Sequence, residues 1–431
     1  MVLRGLEAHS QDLLIRQALS IGISFPTQPP TGNSSGKGDG GSSTIRSPRR
    51  QDQHILTLIS GRCLAPFTAA SFLSCPVPVS LLPQLYSGRW QINVPEPLPL
   101  LALPNGTFYS LPCTKNFHFP GCGFAGFKSA CGSWLVFPRD DGCFLVNPLS
   151  RATVTLPALS SVRICPPDAD LSQVPVDPPV FTWLHIKDKT LDLRKLMMCS
   201  PNLVAAFVNH HGVGQILVCQ PWASSWSVQA NDTCKGFVDM ALYQGKLYTL
   251  SHHEHLCVVN ISQDETTWDP QVFRNEQVIK GDTFSILMEE KRTGVTKKLY
   301  LVESRGVLLM VCREVCCTWV LDKLVAGRNK FEVFEADFKR SRWVNVMTLG
   351  DDQVLFLGQR CSKAVPVSQY EMTGDRIFFF DDDEYYDRYT YEGENASIGV
   401  YDMKDQEVSI LSTVSWKRDG MRLATWLFPQ D

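Results

Sequence analysis

The chain has 431 residues, of which 41 are Lys or Arg and 44 are Asp or Glu, so its formal net charge is −3. This balance disfavours the clustered positive charge with which proteins bind nucleic acid or anionic membrane surfaces. The length suits two or three domains, or one large β-barrel or propeller.

The first part of the chain, residues 1–97, carries no clear fold pattern. Residues 27–52 are rich in Gly, Ser and Pro without apolar periodicity, which predicts a disordered linker. Charged residues interrupt the start of the chain, unlike a signal peptide, and prolines within residues 63–88 would break a membrane helix. We therefore expect a cytoplasmic or nuclear protein whose 15 cysteines are reduced.

From residue 98 to residue 431 the sequence alternates short β runs with polar turns. β-branched and aromatic residues fill the runs, while Gly, Asp, Asn, Ser and Pro fill the turns. Upstream runs such as "VDMALY" and "DDQVLFLG" add a fourth strand, which predicts four antiparallel strands per unit. Units of this kind recur at residues 132–157, 203–229, 245–273, 307–349 and 375–411.

Repeated four-stranded sheets indicate an all-β fold, a β-propeller, because one such sheet cannot bury both faces alone. We predict six blades, with five or seven as open alternatives. The sixth would combine residues 98–112 with residues 422–429, which removes an exposed sheet edge. We expect Trp226, Trp268 and Trp343 to pack between blades.

The stretch "SHHEH" raises the question of a metal site, because His252, His253, His255 and Cys257 lie within six positions. The histidines occupy the connection between two β runs, and no second ligand pair has zinc-site spacing. We interpret the stretch as a solvated polar turn and expect no metal.

Two other motifs have ordinary explanations. "GCGFAG" (Gly121, Gly123, Gly126) matches a dinucleotide-binding string but lacks the preceding strand and following helix that the motif requires. Cys312, Cys316 and Cys317 end an apolar run, where buried structural thiols are expected. We therefore expect no cofactor.

An acidic segment, "DDDEYYD" at residues 381–387, is the candidate contact for a partner. Its spacing lacks the Gly and the terminal Glu of a calcium loop. Aromatic residues amid charge are common at interfaces, and the segment suits a basic partner. The candidate contact residues are Asp381, Asp382, Asp383, Tyr385 and Tyr386.

Catalytic motifs are absent from the sequence as far as local patterns show, because it contains no G-x-S-x-G elbow, H-E-x-x-H helix or phosphate-binding loop. One enzymatic alternative stays open. A propeller hydrolase or sugar-binding protein would use carboxylates converging on the central channel.

Several strings resemble a plant family, the F-box-associated β-propeller of the KIB type. They include "LALPNGTFYSLP", "CFLVNPLSRATVTLP", "DMALYQGKLYTLS", "KKLYLVESRGVLLMV", "DRIFFFDDD" and "TWLFP", and they occur in the family's order across residues 98–429. The resemblance implies a propeller that binds a substrate protein on its face. It also implies an F-box that binds Skp1, the adaptor of a cullin–RING ubiquitin ligase.

Residues 1–97 depart from this family pattern, because no Leu-Pro start followed by three amphipathic helices is recognisable there. Our leading hypothesis is a non-catalytic substrate receptor of an F-box-type ubiquitin ligase, or a diverged member without the F-box. The alternative is a propeller scaffold that binds proteins independently of ubiquitin.

Overall fold

A computed structural model describes most of the chain from residue 99 to residue 429. The described residues are 99–111, 115–119, 123–139, 141–165, 192–210, 213–229, 236–263, 269–281, 295–320, 323–370, 372–380, 395–417 and 424–429. Within them the regular secondary structure is almost entirely β-strand, with one 3-10 turn.

Six separate sheets, which we call blades 1 to 6, make up the fold. Blade 1 contains β1 (Leu100–Ala102), β2 (Phe108–Ser110), β3 (Lys115–Phe117) and β26 (Thr425–Leu427). Blade 2 contains β4 (Ser129–Cys131), β5 (Trp134–Arg139), β6 (Gly142–Val146) and β7 (Thr153–Thr155). Blade 3 contains β8 (Val162–Cys165), β9 (Asp192–Ser200), β10 (Leu203–His210), β11 (Val213–Cys219) and β12 (Trp226–Gln229).

The other three blades follow in chain order. Blade 4 contains β13 (Phe237–Tyr243), β14 (Lys246–Ser251), β15 (Leu256–Gln263) and β16 (Pro270–Ile279). Blade 5 contains β17 (Val295–Ser304), β18 (Val307–Val320), β19 (Lys323–Asp337) and β20 (Arg342–Val346). Blade 6 contains β21 (Gln353–Leu357), β22 (Lys363–Pro366), a 3-10 turn (Val367–Gln369), β23 (Arg376–Phe379), β24 (Asn395–Asp402) and β25 (Glu407–Lys417).

The prediction of four antiparallel strands per unit holds for four blades and is wrong for two. Blade 3 gains a fifth strand, because β8 pairs in parallel with the outer side of β12. Blade 6 also has five strands, and β21, predicted as an ordinary upstream strand, runs parallel to β23. Parallel partners require a crossover rather than a hairpin, and period-two alternation does not reveal strand direction.

Six buried apolar clusters hold the blades together, and each lies between two neighbouring blades. The alternation of β1 shows how: Leu100 and Ala102 join the cluster facing blade 2, whereas Leu101 joins the cluster facing blade 6. The cluster between blades 6 and 1 closes the ring. The predicted six-bladed propeller is therefore confirmed.

β26 forms part of the closing blade together with β1. The two strands are antiparallel, with Leu100 opposite Leu427 and Ala102 opposite Thr425. Trp426 of β26 is fully buried and contacts the rings of Phe356 and Phe380 in blade 6 at centroid distances of 4.9 and 5.1 Å. A segment near the C-terminus thus supplies both the strand β26 and the Trp426 indole that fill the interface between blades 6 and 1.

Tryptophan side chains also join neighbouring blades by hydrogen bonds. The indole Nε1 of Trp226 in blade 3 donates to Pro157 O after blade 2 (3.0 Å), and that of Trp343 in blade 5 donates to Glu254 O in blade 4 (2.8 Å). Trp426 donates to Leu357 O in blade 6 (2.8 Å). The expected inter-blade position is confirmed for Trp226 and Trp343, while Trp268 lies outside the described residues.

Over the described ranges, no helix has the length and apolar character needed to cross a bilayer.

Candidate protein-binding surface

The innermost strands of the blades form a ring around the propeller axis. Successive neighbours are β26 and β4, then β9, β13, β17 and β22. Lys195 lies on β9 and Asp239 on β13, and both side chains are almost completely buried. Lys195 Nζ lies 2.6 Å from Asp239 Oδ1, so this ion pair links blade 3 to blade 4.

Asp239 also receives two backbone hydrogen bonds. Met240 N donates to Oδ1 (2.8 Å), and Leu301 N, on β17 of blade 5, donates to Oδ2 (2.8 Å). Burial raises the pKa of Asp239, and the ammonium group of Lys195 opposes that rise. Because its two oxygens are held by three donors, this carboxylate ties three consecutive blades together and is poorly placed to serve as a catalytic acid.

Thiols near this ion pair are buried rather than activated. Cys131, on β4, accepts a hydrogen bond from Met198 N (3.1 Å), and desolvation raises its pKa to about 12. Cys361 is buried as well, and burial raises its pKa. A thiol that keeps its proton is a poor nucleophile and a poor metal ligand.

The "SHHEH" stretch is the connection between β14 and β15, as predicted. Glu254 N donates to Ser251 O (2.9 Å), and Glu254 has a positive φ of 60°, which closes the turn. The prediction that the histidines are exposed is correct for His252 alone. His253 and His255 are half-buried, and His255 Nδ1 accepts from Gly281 N (2.9 Å), so the turn is fixed to the end of β16.

Metal ligands do not converge at this turn. Across the described parts of the chain, no three His, Cys, Asp or Glu side chains are grouped so that they could hold a metal ion. Cys257 is fully buried in β15.

The "GCGFAG" string occupies the connection between β3 and β4. Gly126 has a φ of +91°, and its amide donates to Pro104 O (2.9 Å). Gly121 lies outside the described residues. The described part of the string leads into the strand β4, so the helix that a dinucleotide-binding motif requires does not follow it.

The cysteines of β18 differ from one another in their exposure. Cys312 is buried, as predicted, and burial raises its pKa to about 12. Cys316 is exposed, which corrects the expectation that it is buried. The side chain of Cys317 lies outside the description.

The acidic candidate contact, Asp381–Asp383 with Tyr385 and Tyr386, lies outside the described residues. The two residues directly before it, Phe379 and Phe380, are in contact with Arg313. Arg313 Nη1 donates to Phe380 O (3.0 Å), and its guanidinium lies 4.4 Å from the ring centre of Phe379. The buried Arg313 therefore fixes the point where the acidic connection leaves blade 6, beside blade 5.

Blade 5 has an unusually long hairpin at this position. β18 and β19 remain paired as far as Val320 and Lys323, and the described part of β17, which begins at Val295, pairs with β18 as far as Cys316. We call residues 317–326 the distal ribbon. Its base is a β-bulge, in which Gly327 and Arg328 lie between the pairs Val315–Asn329 and Cys317–Ala326.

A network of charged side chains lies below the distal ribbon. Lys297 Nζ lies 3.9 Å from Glu254 Oε1 and 3.8 Å from Glu314 Oε1. Lys330 Nζ lies 2.8 Å from Glu332 Oε1 and 3.9 Å from Glu314 Oε2. Burial alone would lower the pKa of Lys297, but the surrounding acidic groups leave it above the ordinary value.

Sequence reasoning missed the inner ion pair and the long hairpin. The signals were present: charged residues interrupt the apolar runs "DLRKLMM" and "VDMALY", and strand-forming residues continue through "VLLMVCREVCCTWV" for 14 positions. The runs show that strands exist, but the contact between Lys195 and Asp239, which lie 44 positions apart, depends on how the blades are stacked.

A protein named F-box only protein 7 from Arabidopsis thaliana is 24% identical over 148 residues, which are 33% of this chain and 33% of that protein. The matching region thus spans about a third of the length of that relative.

Two solved structures are similar at a distant level. One is a chain from a S. cerevisiae assembly of Dbp5 with Nup159, Gle1, IP6 and ADP, with a TM-score of 0.31, 9% identity and coverage of 77% of this chain and 75% of that one. The other is the Dos1 propeller, with a TM-score of 0.29, 8% identity and coverage of 68% and 74%. Both likenesses are too weak to bear on function.

A family model settles the relationship. The model described as the KIB1-4 beta-propeller matches residues 100–402, which run from β1 in blade 1 to the end of β24 in blade 6. The chain therefore belongs to the KIB1-4 beta-propeller family.

Proposed function

We propose that the chain is a non-catalytic substrate receptor of a Skp1–cullin ubiquitin ligase, acting in the cytosol or nucleus. The propeller binds a protein substrate, and the F-box-type adaptor contact brings that substrate to the ligase. The observation that carries the proposal is the family match across the propeller, together with the partial similarity to a protein named as an F-box protein.

The chemistry of the inner ring supports a binding role. The buried carboxylate of Asp239 is occupied by Lys195 and two amides, and the nearby Cys131 thiol keeps its proton. Groups held in this way stabilise a scaffold, whereas acid–base catalysis needs a group that can exchange its proton with a substrate. The recognition surface is then a face of the propeller, where connections on a rigid frame bind partners.

An adaptor pull-down tests the ligase assignment. The full-length chain, immobilised through a C-terminal tag, is incubated with purified Skp1, and a chain beginning at residue 98 serves as the matched control. If the chain is such a receptor, the full-length chain should retain Skp1 and the control should not. No retention by the full-length chain removes the ligase assignment.

A ubiquitin-independent scaffold is the second candidate. It is favoured by one observation: the family match lies within residues 100–402 and carries nothing about an F-box. If Skp1 is not retained while partner proteins are still captured, the scaffold assignment replaces the receptor.

The acidic segment is proposed as part of the contact surface. Replacing Asp381, Asp382 and Asp383 with Ala removes three negative charges that directly follow Phe380 in the sequence. We expect weaker capture of a basic partner, with a stronger effect at low ionic strength. Unchanged capture would reject this contact.

A further inference from the structure

The outer edge of β19 in blade 5 is only partly covered. β20 pairs with Val333–Asp337 of β19 and its pairing ends at Val346, opposite Val333. Among the residues that the structure describes, no strand lies against the outer side of Lys323–Glu332. An uncovered edge presents unpaired backbone N–H and C=O groups, which a further strand can bind.

This open edge is basic in an overall acidic protein. Its sequence, "KLVAGRNKFE", contains three basic residues and one acidic residue. Arg328 is exposed, and 58% of the Lys330 side chain is accessible to solvent. The edge therefore suits a strand with negative charges and repels a second copy of itself.

Apolar residues accompany the charge at one end of the edge. Met347, directly after β20, is 68% exposed, and Val344 on β20 is 38% exposed. Because Val346 pairs with Val333, Met347 follows at the Glu332 end of the open edge.

The molecule already contains an added outer strand. β8 pairs in parallel with the outer side of β12 over the register Val162–Trp226 to Cys165–Gln229. Arg163 of this strand also forms an ion pair with Asp269 (3.0 Å). A blade of this protein thus accepts an additional strand at its rim and fixes it with a charged contact.

We propose that an extended segment of a partner protein, alternating acidic and apolar residues, adds as a strand to the outer edge of β19 between Lys323 and Glu332. The added strand continues the line of β20, and its acidic side chains pair with Arg328 and Lys330. This inference rests on the proposed protein-binding function and assigns it a docking edge.

Synthetic peptides test the charge preference directly. One fluorescent peptide alternates Glu with Val and the other alternates Lys with Val, and binding to the full chain is measured by fluorescence anisotropy at low ionic strength. We expect the Glu–Val peptide to bind about tenfold more tightly, because exposed ion pairs each contribute a modest free energy. Equal binding of the two peptides would overturn the proposal.

Protein variants test the location. Arg328→Glu combined with Lys330→Glu should weaken binding of the Glu–Val peptide about tenfold. Arg340→Glu is the matched control, because Arg340 is 70% exposed at the opposite end of β19, in the turn that leads to β20. Equal weakening by the control, or none by the double variant, would contradict the assigned edge.

N-methylated peptides test the strand pairing without altering the protein. Only one of the two alternating sets of peptide amides faces a neighbouring strand, so N-methylation of that set should abolish binding and methylation of the other set should not. Tolerance of both would show that charge alone drives binding and would overturn the strand addition. None of these outcomes changes the Skp1 result, so failure here is distinguishable from failure of the proposed function.

Discussion

Asp239 illustrates what single side chains contribute to the propeller. It accepts from Lys195 on β9 and from Leu301 N on β17, so one carboxylate bridges strands that belong to three blades. Such a group could not be identified from the sequence, because an aspartate within an apolar run fits an exposed strand position equally well. Its partners are defined only by the stacking of blades.

We predict that Asp239→Ala destabilises the fold strongly. The substitution leaves the buried ammonium of Lys195 uncompensated, which costs about 3–5 kcal/mol in the free energy of unfolding. Chemical denaturation followed by tryptophan fluorescence measures the change.

Asp351→Ala is the control for this prediction, because Asp351 pairs with Lys404 at the surface. We expect no measurable change there, since exposed ion pairs contribute little. Equal stability of Asp239→Ala and the wild-type chain would show that the inner ion pair does not stabilise the ring.

Cys312 and Cys316 lead to a second prediction about single side chains, because they lie four positions apart on one strand. Burial raises the pKa of Cys312 to about 12, whereas Cys316 is exposed. Iodoacetamide reacts with the thiolate, so we expect rapid labelling of Cys316 and slow labelling of Cys312 near neutral pH.

Peptide mass spectrometry resolves the two sites. In the folded chain Cys312 should stay protected while Cys316 is labelled, because only Cys316 is exposed. Urea should remove the difference. Fast labelling of Cys312 without denaturant would contradict its buried position.

Strands and turns were largely predictable because each has a local signature. The runs "GKLYTL" and "LCVVNIS" correspond to β14 and β15, and the polar stretch between them is the turn. Strand partners were harder to predict, because the pairing of β8 with β12 joins segments about sixty positions apart in parallel. The distal ribbon was missed because a run of strand-forming residues does not reveal how far its pairing with the next strand extends.

The tryptophan contacts between blades lead to a prediction about how neighbouring blades are joined. Trp226→Phe keeps an aromatic ring in the cluster between blades 2 and 3 but removes the donor to Pro157 O. Leaving a buried carbonyl unsatisfied should cost about 1–3 kcal/mol in the free energy of unfolding.

Trp222→Phe is the matched control, since Trp222 is 68% exposed in the turn before β12. Thermal unfolding of both variants under one set of conditions measures the difference. If the two variants lose equal stability, the hydrogen bond to Pro157 does not join the blades.

Ring closure is a property of the whole molecule. The interface between blades 6 and 1 contains Ala424, Trp426 and Phe428, which all come from the last described segment. A closed ring leaves each blade with a neighbour on both faces, so opening one interface exposes apolar surface on two blades.

We predict that a chain ending at residue 423 loses the cooperative thermal transition of the full-length protein. Circular dichroism and dye binding to exposed apolar surface measure this loss. A synthetic peptide of residues 424–431 should restore the transition in part, and the same peptide with Trp426→Ala should not. A truncated chain that melts like the intact one would show that blade 1 is stable without β26.

Closure through β26 has a consequence for biosynthesis. Blades 2 to 6 are complete in the chain before Thr425 is added, but blade 1 waits for β26, a strand of three residues that is made after them. While that strand is still inside the ribosome, the exposed flank of blade 6 is a target for chaperones. The ring closes only once β26 has left the ribosome and can pair with β1.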